Sequence, residues 1–157
     1  TTAALGSGLG GQFAALPTLA ANTDGIVCSY QNPTPTNAIQ GKTLLIDGVR
    51  IQGIVTTVLS GGPVAYEYAL CFGHTAVSLA TAETIAAKAP RRIPLGFEVF
   101  ALNSAVTTLG SAGIYVPFRN PIPVNPGEFV AISAKNIGTV TATGVITFAV
   151  RFDAHWE

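Results

Sequence analysis

Between Ile146 and Trp156 the chain keeps a period of two. Ile146, Phe148, Val150, Phe152, Ala154 and Trp156 share one face of an extended chain; Thr147, Arg151, Asp153 and His155 share the other. Only a strand buried on one side presents that pattern, because a helix repeats every 3.6 residues. The same alternation recurs upstream, with Tyr66, Tyr68, Leu70 and Phe72 opposite Ala65, Glu67, Ala69 and Cys71. Shorter β-rich runs cover residues 26–30, 42–46, 49–55, 95–99, 114–118 and 129–134. Between them stand turn formers: Asn32-Pro33-Thr34-Pro35-Thr36-Asn37, Gly61-Gly62-Pro63, Asn120-Pro121, and the Pro123, Pro126, Gly127 cluster. Asp47-Gly48 shifts the phase between two runs and predicts a bulge or tight turn.

About eight strands with short connections make an all-β chain of antiparallel sheets, since parallel pairing needs long crossovers. The expected architecture is a β-sandwich, an eight-stranded jelly roll over residues 24–157. An immunoglobulin sandwich fits worse, because Cys28 and Cys71 do not bracket the single tryptophan, Trp156. Residues 75–88 are Ala-rich and leave two options: a short helix with Thr81 as N-cap and Glu83 in its first turn, or an extended connection. Pro90 and Pro94 bracket an irregular stretch containing Arg91 and Arg92.

Residues 1–23 read as an extended N-terminal arm. They carry no charge and no strand period. Leu5, Leu9, Phe13, Leu16 and Leu19 recur at helical steps, but Gly6, Gly8, Gly10 and Gly11 work against a helix standing alone. An apolar arm without a core needs a partner surface, so these five residues are candidate contacts to a partner or a second subunit. Packing back on the arm's own domain is the alternative. The segment lacks the basic start of a secretory leader, and the chain holds no Met, which points to a trimmed or partial product.

Charged residues are only 10% of the 157, and eight Lys+Arg balance eight Asp+Glu. Soluble domains usually carry roughly 25%. So sparse a charged cover, at zero net charge, favours association between copies over a monomer coated in Thr, Ser, Asn and Gly. It excludes a free-standing nucleic-acid binder, which needs clustered Lys and Arg. No membrane span is expected, because no run approaches ~18 apolar residues.

The chemistry is thin. His74 and His155, even with Asp153 or Glu157, stand in no metal-ligand spacing, and structural roles are favoured. Cys28 and Cys71 are read as two buried thiols in preference to a disulfide. No nucleophile motif or acid pair appears. The glycines at 6–11 follow no strand and carry no Lys, so they are no phosphate loop. The chain is therefore read as no enzyme and as needing no cofactor. Arg91 and Arg92 form a two-residue basic spot, either bridging to an acidic patch on a neighbouring subunit or simply solvated.

Three phrases carry a family likeness: GKTLLIDGVRIQG (41–53), APRRIPLG (89–96) and VNPGEFVAISAK (124–135). Together they resemble the jelly-roll proteins on the head exterior of tailed bacteriophages, the decoration (cement) and head-fibre proteins. The likeness spans roughly residues 40–157. It implies a structural virion protein, a homotrimer bound to the shell of the major capsid protein, with a terminal arm for grip. The Tyr66/Tyr68 strand and the last strand are the candidate subunit face, with a place in the core as the competing assignment. Two other classes stay open: a carbohydrate- or receptor-binding module using Tyr30, Tyr115 and Trp156, and the main capsid subunit of a small virus, whose arm is usually basic where this one is uncharged.

Overall fold

A computed structural model describes residues 10–17, 20–22, 24–35, 41–61, 64–74, 91–100, 113–138 and 143–157. They form β1 (Gly10–Pro17), β2 (Asp24–Gln31), β3 (Leu44–Ser60), β4 (Val64–His74), β5 (Arg91–Phe100), β6 (Ile114–Val124), β7 (Phe129–Asn136) and β8 (Thr143–Trp156). Two four-stranded antiparallel sheets, ordered β1-β8-β3-β6 and β2-β7-β4-β5, pack as a sandwich. The pairings nest. β4 pairs with β5, β3 with β6, β2 with β7 and β1 with β8, as if one long hairpin had been folded and rolled. The β3–β8 and β4–β7 ladders then join these pairs into sheets.

The alternation read from the sequence becomes the core. Ile146, Phe148, Val150 and Phe152 of β8 are buried, as are Tyr66, Tyr68 and Leu70 of β4. Tyr66 and Tyr68 meet Phe148 edge-on from the facing sheet, with ring centroids 6.1 and 5.9 Å apart. This corrects the candidate subunit face: both strands spend their aromatic side on the core between the sheets.

Strand membership also departs from expectation. Residues 42–46 and 49–55 are not two strands. From Leu44 onward they lie in the single 17-residue β3, whose register slips between Ile46 and Gly48, so the predicted irregularity is a bulge and the chain runs on. Gly10–Pro17 is a strand, paired with β8 from Gly10↔Arg151 to Pro17↔Val145, where an arm without strand period was expected. β8 is long enough to ladder β3 on one side and β1 on the other, and backbone pairing does not require alternating side chains. β6 runs through Pro121 and Pro123, which were read as its end. The prolines within strands stand on β1, β5 and β6, each at a sheet edge, where a missing N–H costs no ladder bond. The possible helix at 75–88 lies outside the described residues.

The predicted turn cluster after β6 is a tight turn: the Glu128 N–H donates to Asn125 O at 2.9 Å, and Gly127 takes φ +84° behind Pro126. Buried Asn32 locks this turn to the sandwich. Its Nδ2 donates to Lys42 O at 2.9 Å and Val124 O at 2.8 Å, and its backbone carbonyl accepts from the Gly127 N–H at 2.7 Å. Cys28 and Cys71 are both buried, and no disulfide joins them. Cys28 sits level with Ile132 in the inner core, while Cys71 is opposite Ala131 on the outer face, so the strand β7 separates them.

Candidate functional site

The most distinctive surface grows from a bulge in β5. Along the β4–β5 ladder Tyr68 pairs with Gly96 and Ala69 with Pro94, which leaves Leu95 without a partner. One extra residue reverses the facing of everything beyond it. Leu95 is buried, yet Phe97 and Val99, expected on its face, turn outward with 66% and 62% exposure. Glu98 and Phe100 turn inward. Gly96 inside a strand pattern was the sequence signal for this bulge.

Inside, the Glu98 carboxylate is placed at the core's margin. Its Oε2 accepts from the Tyr68 hydroxyl at 2.6 Å and from the Gly53 N–H of the facing sheet at 3.2 Å. A Cβ on Gly53 would stand 2.5 Å from the Phe100 ring, so only glycine allows the two sheets to come this close. Burial, then the charge of Glu98, pushes the Tyr68 phenol far above its ordinary range.

Outside, Val99 pairs with Ala65, whose carbonyl accepts from the Ile137 N–H at 2.9 Å. Val99, Ile137 and the neighbouring Phe97 thus make an apolar corner on the outer face of the β2-β7-β4-β5 sheet, with Ile137 itself 43% exposed. Beside the corner runs a row of alternating charge: Phe97, Glu67, Lys135 and Asp24 are consecutive register partners across β5, β4, β7 and β2. Next to this row lies a depression of about 150 Å³, lined by Asp24, Glu67, Ala69, Arg92, Pro94, Ser133 and Lys135.

Arg92 Nη1 reaches Asp24 Oδ1 at 3.2 Å, from one edge strand to the other across β4 and β7. Beneath it the outer face is small and buried: Cys71, Ala131 and Ser133. The aliphatic part of an arginine covers such residues while its head stays wet. Burial pushes the Cys71 thiol up from its ordinary value, and the thiol donates to Ser133 Oγ at 3.5 Å.

The structure thus gives Arg92 an acidic partner within its own chain, and leaves Arg91 exposed at the start of β5. Phe13 and Leu16 lie on β1, in register with Ala149 and Ile146. Leu5, Leu9 and Leu19 lie outside the described residues. His74 and His155 stand in different sheets, and His155 Nδ1 meets Asp47 Oδ2 at 2.7 Å. Among the described residues no three His, Cys, Asp or Glu side chains gather as a metal site would require.

Nor do the three aromatics considered for sugar binding converge. Tyr30 is on the β2 sheet. Tyr115 pairs with Arg50, whose guanidinium lies 5.0 Å from its ring centroid, and Trp156 pairs with Leu44. Arg50 and Leu44 are six residues apart on β3, roughly 20 Å. What the surface offers is therefore contact: exposed aromatic and aliphatic groups, both signs of charge, and a shallow hole. No protein-family model matches the chain, and no curated protein matches it.

Proposed function

We propose that the chain is a structural virion protein: a homotrimer of jelly-roll subunits that binds the outside of a phage head, on the shell of its major capsid protein, and decorates or stabilises it. The observation that carries this reading is the nesting of the four strand pairs, because a hairpin rolled into two four-stranded sheets is the path of a jelly roll, an architecture recurrent in viral shells. Three further observations support it. The likeness of residues 40–157 to decoration and head-fibre proteins is one. The 10% charge content is another, since a neutral, sparsely charged surface suits copies that pack on each other and on a shell. The third is the apolar corner at Phe97, Val99 and Ile137, a feature that monomers seldom leave bare.

The experiment is a protein inventory of virions made from the genome that encodes the chain. A decoration role predicts the chain in purified particles and in emptied heads. Its absence from both overturns the reading.

A further inference from the structure

We infer that Phe97 of one copy seats in the depression of a second copy, so that the outer face of the β2-β7-β4-β5 sheet is the surface through which subunits join. The inference rests on the oligomeric part of the function proposed above and names the face that part requires. Knob and hole stand side by side on one face: Phe97 is 66% exposed, and Ala69 and Pro94, one strand position away, help line a depression of about 150 Å³. An open depression of about 150 Å³ has room for a phenyl ring.

Charge selects the same occupant. The rim holds two carboxylates, Asp24 and Glu67, and two cations, Arg92 and Lys135. Asp24 and Arg92 satisfy each other, whereas Glu67 and Lys135, though register partners, form no ion pair among the described residues. In a head-to-tail contact the Glu67 carboxylate of one copy suits the Lys135 ammonium of the next, and a net charge of zero sets no long-range repulsion between copies. Around a threefold axis each copy gives its Phe97 to one neighbour and its depression to the other, the head-to-tail contact that closes a ring.

Native mass spectrometry at micromolar concentration tests this, with folding followed by far-ultraviolet circular dichroism. The wild-type chain should weigh three times its 16.1 kDa. Phe97→Asp, which removes the knob, and Ala69→Trp, which fills the hole, should each reduce the mass to that of one chain. Tyr115→Ser, on the other sheet, should leave the trimer intact. A trimer that survives either folded variant overturns the inference and leaves the virion role standing. A monomeric wild type overturns the inference together with the trimer. Loss of the trimer in both variants, in a chain absent from virions, upholds the interface and removes the virion role.

Discussion

Glu98 shows how much one side chain holds at this sandwich's margin. Its carboxylate accepts hydrogen bonds from the Tyr68 hydroxyl at 2.6 Å and the Gly53 N–H at 3.2 Å, tying the two sheets together where Phe100 leaves no room for a larger residue at 53. Glu98→Ala strands two donors in a water-poor site, at about 1–3 kcal/mol for each. Tyr68→Phe should cost about 1.5–3 kcal/mol, the worth of a hydrogen bond to a charged group. The double variant should lose less than the sum, because both changes break the same contact. Urea midpoints for the four proteins check this, and additive losses would show that the contact is not shared. A second expectation concerns alkaline pH. Burial lifts the Cys28 thiol from 9.0 to about 11, lifts Cys71 and holds the Tyr68 phenol higher still. Folded pKa values above the unfolded ones mean that the unfolded chain sheds these protons first. The stability the three groups supply is whole below pH 9.0, and for Cys28 it is lost as pH rises to about 11. The slope is about 1.4 kcal/mol per pH unit for each titrating group. Urea midpoints should hold level up to about pH 9.0 and then fall, and Cys28→Ala should flatten the first part of the fall. A curve equally steep in that variant would contradict the assignment.

Among the elements, β1 asks for the most direct test. Its residues 10–17 ladder onto β8, so removing residues 1–9 should leave the melting temperature unchanged, while removing residues 1–17 should bare the edge of β8. If the strand contributes about 2 kcal/mol, the second truncation melts ~4–8 °C lower. Equal melting of both truncations would show that β1 is dispensable. β1 was invisible in the sequence for a physical reason. Its two large apolar residues, Phe13 and Leu16, stand three apart and so show no period of two, and its partner is more than a hundred positions away, beyond any local signal. β8 and β4 were legible because a two-layer sandwich buries one face of each strand and writes that face into every second residue. β5 misled, since the bulge at Leu95 changes the facing of Phe97, Glu98 and Val99 within an apparently continuous alternation. The same slip hid the candidate surface: Leu95, Phe97 and Val99 fall at alternate positions, yet of the three only Leu95 is buried. Arg92 was singled out as a contact, but its partner Asp24 lies on a strand that only the pairing of β2 with β7 and β4 brings near.

For the molecule as a whole, two properties belong together. The rolled hairpin gives a stiff block with a core between its sheets, and the scarcity of charge leaves the outside of that block suited to contact. A neutral chain with an apolar corner at Phe97, Val99 and Ile137 offers surface for contact. In the proposed role the neighbours are further copies at Phe97 and Ala69, and a capsid shell beyond them. Gold-labelled antibody against the chain, applied to intact virions and viewed by electron microscopy, tests this most directly. The account predicts gold over the outer surface of the head. Particles that label only on the tail, or only after the head is broken open, would contradict it.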